Sequence, residues 1–307
     1  MPPSLGDRLR GRSRREEPTK PLILVVGLQK SGTSLLLRLL TRLEGFSNPV
    51  RREGKELWGD DPPFSPQAFP AGSFYQRDGG ERGHELGRDD ATPEVAEHFR
   101  SQLTQMAGDA RALVLKNPYN TVRVPWLREI FPEAQIVAIV RRPLPNVFSL
   151  LKKHVDNPHA HRGPEGGWWG VKPAGWRELC DGDAVMRAAH QWERVNAKLW
   201  ADRELADLVV PYHELCREPE AAVGAIAEAS VGDRPNLEVP PLEALDDEYL
   251  HGGRLESANR VFKRTESFVV AGAEREDEML PPLEPEARGI VESVCGPLAR
   301  QMDLDPG

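Results

Sequence analysis

Lysine, cysteine and long apolar runs are all scarce in this chain of 307 residues. No apolar run approaches the roughly 20 residues that cross a bilayer. The basic opening GDRLRGRSRREEPTK lacks the apolar core of a signal peptide, so a soluble, cytoplasmic protein without stable membrane insertion is expected. Three cysteines, Cys180, Cys216 and Cys295, are widely separated and odd in number, which excludes a disulfide framework and a four-thiolate zinc site. Positive charge is also the minority: 40 Lys and Arg stand against 48 Asp and Glu, for a net charge of −8. A nucleic-acid binder rests on a basic surface that neutralises many phosphates, so that class is excluded as a general function. A local basic pocket stays compatible with the count. Only nine of the basic residues are Lys, which makes a Lys at an anion-binding position informative.

Residues 1–19 mix Pro, Gly and charge without apolar periodicity and read as a disordered lead. The remainder, 20–307, reads as one domain. LILVV at 22–26, ALVL at 112–115, IVAIV at 136–140 and LVVPY at 208–212 are continuous apolar runs, the pattern of parallel strands buried on both faces. Helical patterns fall between them: LLLRLLTRL after the first run, NTVRVPWLREIF between the second and third, and a long helix over 184–205. The order predicts an α/β fold of three layers, a central parallel sheet flanked by helices. Two segments, 58–92 and 156–176, are rich in Gly, Pro and aromatics without period, and read as irregular loops on the acceptor side of a site. Trp168, Trp169 and Trp176 favour ordered loops there, with aromatic faces suited to a ring-bearing acceptor.

GLQKSGTS follows the first strand and opens a helix at once. Its backbone amides and the helix dipole suit an anion. A nucleoside-triphosphate loop needs Lys directly after the second Gly, whereas here Thr33 follows Gly32 and Lys30 lies inside the loop. Magnesium-dependent phosphoryl transfer also needs an acid at a neighbouring strand end, where this chain has Arg141 and Arg142. The site therefore reads as one for an anion that brings no magnesium. Ser149 lies eight residues after Arg141, two helical turns on, where its hydroxyl joins the guanidinium on one phosphate. His154, His159 and His161 lie close in sequence but lack partners at helical spacing, so no metal site is expected.

These residues resemble a known family. GLQKSGTSLLLRLL resembles the 5′-phosphosulfate loop of sulfotransferases, and VRRPLPNVFS their 3′-phosphate element. LVLKNPYNTVRVPWLREIFPEAQIVAIVRRP is similar to the connecting segment of the tyrosylprotein and bacterial branches, with Lys116 at their signature lysine. VVPYHELCREP resembles the segment whose tyrosine lies by the adenine, which is Tyr212 here, and His213 replaces its usual acid. SANRVFK, with Ser257 and Lys263, is similar to a late Ser and Lys element of the tyrosylprotein branch. Arg142 stands where the family commonly has Asp. The resemblance runs discontinuously over about residues 21–265.

It implies the P-loop sulfotransferase fold and the donor 3′-phosphoadenosine 5′-phosphosulfate (PAPS), with 3′-phosphoadenosine 5′-phosphate (PAP) as product. Lys30, Ser31, Gly32, Thr33 and Ser34 would then hold the 5′-phosphosulfate, with Arg141, Ser149, Tyr212, Ser257 and Lys263 on the rest of the donor. Lys30 and Lys116 would neutralise the leaving phosphate. Lys55 and Glu56 resemble the Lys and Glu pair of carbohydrate sulfotransferases, which makes Glu56 the expected base beside Trp58, with Glu53 and His84 as alternatives. The resemblance further implies a hydroxyl of a small molecule or glycoconjugate as the acceptor. A magnesium-dependent kinase on the same architecture and a non-catalytic nucleotide-binding protein stay open as rival readings.

Overall fold

The computed structural model describes residues 20–50, 52–58, 81–156, 168–180, 183–232, 260–264, 267–271 and 284–304. Ser257, His159, His161 and the lead 1–19 lie outside these residues, as do the side chains of Lys55, Glu56, His154 and Lys263. Five parallel strands form the central sheet: β1 (Leu22–Val26), β2 (Phe46–Ser47), β3 (Ala112–Lys116), β4 (Gln135–Val140) and β5 (Leu208–Pro211), in the order β2-β3-β1-β4-β5. A separate antiparallel pair joins β6 (Arg260–Arg264) to β7 (Ser267–Ala271).

The continuous apolar runs are explained by cover on both faces. Ile23 and Val25 of β1 enter one core, with Val114, Val137 and Ile139. Against them pack α1 (Thr33–Leu40), α7 (Tyr212–Arg217) and α8 (Pro219–Val231), through Leu36, Leu40, Leu215 and Ile226. Leu24 and Val26 enter the other core, with Leu115, Ile136 and Ala138. Its cover is α3 (Pro93–Met106), α4 (Val124–Ile130), α5 (Pro143–Asp156), α6 (Ala184–Ala201) and α9 (Pro285–Gln301). Each fully buried Leu, Ile or Val on these faces is worth about 1.5–3 kcal/mol of transfer free energy.

Several elements depart from the sequence reading. The NTVRVPWLREIF pattern splits into a 3₁₀ turn at Pro118–Val122 and α4, because Pro125 starts a new helix rather than continuing one. The 184–205 helix ends at Ala201, and Arg203–Leu205 forms a 3₁₀ turn. Trp58, at the end of α2 (Lys55–Trp58), is a core residue. It is fully buried against Phe99 at 5.1 Å and Trp126 at 6.1 Å, ring centre to ring centre. Trp168 and Trp176 are likewise buried, packed on each other at 5.7 Å. Lys172 and Arg177 lie over the Trp176 ring, so both indoles serve packing rather than present open faces. No helix among the described residues is long and apolar enough to cross a membrane.

Candidate active site at the carboxyl ends of the central strands

The strand order reverses at β1, and the connection leaving it sits where open α/β sheets place their ligands. Residues 27–32 leave β1 and turn directly into α1. The turn is tight: Ser31 N–H donates to the Leu28 carbonyl at 3.0 Å, and Lys30 adopts a left-handed backbone, φ 69. Gly32 has φ 107, and a Cβ there would meet the Tyr212 ring at 2.4 Å, so only glycine lets the loop lie against that ring. The first turn of α1 has neither a side-chain cap nor an acidic residue. Its leading N–H groups and the positive end of the helix dipole face the loop. Ser31 is buried, and its Oγ has no hydrogen-bond partner among the described residues. A buried hydroxyl without a partner is costly, and an anion seated in the loop supplies the missing partner. Thr33 is buried, while Ser34 and Lys30 are exposed.

Flanking strands bring the other cations. β3 pairs with β1 so that Lys116 lies opposite Val25, two residues before the loop opens. Its side chain is 3% exposed, and its ammonium is ion-paired with Glu53. On the other side, Val140 ends β4 and Arg141 follows. Arg141 Nη1 donates to the Lys30 carbonyl at 2.9 Å and to Ser149 Oγ at 3.4 Å, while its guanidinium lies 4.5 Å from the centre of the Tyr212 ring. The Ser149 hydroxyl donates to the Pro145 carbonyl at 2.9 Å. Lys30, Arg141, Ser149 and Tyr212, distant in sequence, therefore form one connected patch beside Gly32. Lys116 stands on the opposite flank of β1.

His84 is held in a different manner. Its Nδ1 accepts from the Lys172 N–H at 2.9 Å, its carbonyl accepts from Arg123 Nε at 2.7 Å, and its ring stacks on Tyr119 at 4.2 Å. With Nδ1 engaged as an acceptor, a neutral imidazole carries its proton on Nε2 and has no free lone pair for a base. Among the described residues, no three His, Cys, Asp or Glu side chains come together to hold a metal ion.

A model of the sulfotransferase family matches residues 21–230. The chain belongs to the sulfotransferase family. Among solved structures, it is similar to sulfotransferase STF9 from Mycobacterium avium, at 17% identity over 94% of this chain and 78% of that one, with a TM-score of 0.49. It is also similar to sulfotransferase STF1 from Mycobacterium tuberculosis, at 21% identity over 69% and 67%, TM-score 0.39. A third, a sulfotransferase from Alicyclobacillus acidocaldarius, is 16% identical over 93% and 97%, TM-score 0.42. No curated protein sequence matches.

In this sulfotransferase, several residues that hold the loop carry no sequence signal of their own. Thr121 Oγ1 accepts from the Gly27 N–H at 2.8 Å and ties the start of the loop to the turn after Lys116. Asn146, fully buried in α5, donates to the Gln29 carbonyl at 3.1 Å. The Gln29 side chain pairs with the backbone of the tryptophan loop, donating to the Trp169 carbonyl and accepting from the Val171 N–H, both at 3.2 Å. Gln191 of α6 donates to the Trp169 and Val171 carbonyls at 2.8 Å each. Hence the 27–32 loop and the Trp169–Val171 segment are one hydrogen-bonded unit. Only their placement as uncharged polar residues at otherwise apolar positions, such as Asn146 within PLPNVFS, hints at these roles.

Proposed function

We propose that the protein is a PAPS-dependent sulfotransferase that acts on a hydroxyl of a small molecule or glycoconjugate and releases PAP and a sulfate ester. One observation carries this reading. An uncapped helix start with an unpartnered buried hydroxyl is flanked by a lysine on one side and an arginine with a serine on the other. The residues fit a donor with two separate anionic groups: Ser31, Thr33, Ser34 and the loop amides suit its 5′-phosphosulfate. Arg141 and Ser149 suit a second phosphate, and Tyr212 offers a ring beside them. Ser257 and Lys263 complete the proposed donor set on family resemblance.

When bound, PAPS supplies a sulfuryl group that passes in line to the acceptor oxygen, with the sulfur–oxygen bond to phosphate breaking as the new one forms. Lys30 and Lys116 neutralise the charge that develops on the leaving phosphate, the task magnesium performs in kinases. Donors already held in place need little reorganisation at that moment, so they act on the transition state rather than on binding alone. Glu56 is the proposed base: its carboxylate takes the proton from the acceptor hydroxyl. The rival kinase reading is disfavoured because Arg141, not an acid, follows β4.

Transfer of ³⁵S label from PAPS to 4-nitrophenol or to an alkyl glucoside, in EDTA, tests the activity and its independence from magnesium. Glu56→Gln is expected to remove turnover while PAP affinity stays within about twofold, since the change is isosteric and removes only a proton acceptor. Retained turnover in that variant contradicts the assignment of the base. Transfer that requires magnesium and ATP contradicts the donor.

A further inference from the structure

Among the described residues, three non-glycine residues have positive φ: Lys30 at 69°, Glu53 at 64° and Asp303 at 55°. Asp303 follows the last helix, whereas Lys30 follows β1 and Glu53, after β2, reaches the carboxyl end of β3. A residue with a Cβ is disfavoured in this region, and such residues persist where the surroundings hold them, often at functional sites. The surroundings of Glu53 are identifiable. Gly54 follows with φ 67, and a Cβ on it would lie 3.1 Å from Trp58 Nε1, so the turn is packed onto the buried indole. The turn carries the Glu53 carboxylate to Lys116.

The two partners differ sharply in exposure. Lys116 is 3% exposed and Glu53 37%. A buried ammonium needs a counter-charge, while the half-exposed carboxylate can leave for water at little cost. The proposed function gives the same ammonium a second anionic partner, the leaving phosphate of the donor. A carboxylate and a phosphate on one ammonium repel each other, so occupancy by one opposes occupancy by the other.

Resting on the PAPS reading above, we propose that Glu53 is the built-in counter-ion of Lys116, displaced by the donor phosphate and returned when PAP leaves. Glu53 is thus a positioning residue, distinct from the base. It keeps Lys116 charged and aimed while the site is empty, and it lowers the affinity for product by competing for the same ammonium.

Calorimetric titration with PAP in EDTA tests this in the full chain, with Glu53→Gln, Lys116→Ala and the double variant. Glu53→Gln keeps the shape and removes the charge. The expected result is PAP binding tighter by about fivefold, the equivalent of one partly exposed ion pair no longer competing. The same change in the Lys116→Ala background should have no effect, because the contested ammonium is gone. Unchanged PAP affinity with lost turnover in Glu53→Gln would make Glu53 the base and overturn the proposal. Weaker PAP binding together with a lower Tm would make the pair a purely structural contact and overturn it also. Absence of PAP binding by the unaltered protein overturns the donor reading itself, before Glu53 is considered.

Discussion

Arg141 joins the two halves of the candidate site, since one guanidinium reaches the loop carbonyl of Lys30, the Ser149 hydroxyl and the face of Tyr212. Its place beside the loop was legible in the sequence because it directly follows a buried parallel strand, with Ser149 two helical turns further on. Gln29 and Thr121 were not legible. An amide or a hydroxyl in a loop has no preferred partner until the fold supplies one, and theirs are backbone groups 94 to 142 residues away. The cysteines give a test at this scale. Cys295 is buried, and burial, with the Glu193 charge second, pushes its thiol far above the ordinary range. A thiol held neutral is not a nucleophile. Of the three thiols, half-buried Cys180 should react with a disulfide reagent at pH 8 in the native protein, and Cys216 and Cys295 only after unfolding. Peptide mapping of the labelled cysteines checks this. Because the folded-state value is raised, the stability that Cys295 contributes is complete below the free thiol value of about 8.5 and declines as pH rises above it.

Strands were the most legible elements, since a β-branched run without polar interruption leaves a buried parallel strand as the simplest account. β3 proved one residue longer than its apolar run, and that residue is Lys116. The tryptophan loop was legible as ordered but not as packed inward. Indole rings fit a packed core as well as an acceptor pocket, and only coordinates distinguish the two. Its docking depends on Gly170, with φ 87 and the Gln29 amide where a Cβ would stand, 2.1 Å from Nε2. Gly170→Ala should therefore cost about 1–3 kcal/mol from overpacking and accelerate hydrogen exchange at the Val171 amide. Gly289→Ala is the control: it lies within α9 with nothing near its Cβ position, and should stabilise by about 0.5–1 kcal/mol. Exchange mass spectrometry and thermal melts separate the two outcomes. Equal effects of both substitutions would mean that the loop is not docked through Gln29.

At the scale of the molecule, two cores lie on opposite faces of one sheet, and Lys30, Lys116 and Arg141 are at the carboxyl ends of its three inner strands. Alternation along β1 assigns the cores, but the partner helices were less visible. α3 has few apolar positions, α9 carries Pro297 within it, and the β6–β7 pair follows a long stretch of mixed composition. The cover that α3 and α9 give the sheet is a tertiary property, set by what packs against it rather than by local propensity. The central claim, a metal-free site for a donor with two anionic groups, is tested most directly by calorimetric titration with PAP, ADP and ATP, each with and without magnesium. The account predicts PAP binding that is independent of magnesium, far weaker for ADP, and reduced by about 10- to 100-fold in Arg141→Ala through loss of charge-assisted hydrogen bonds to the second phosphate. Preference for magnesium ATP, or PAP binding unchanged by Arg141→Ala, would contradict it.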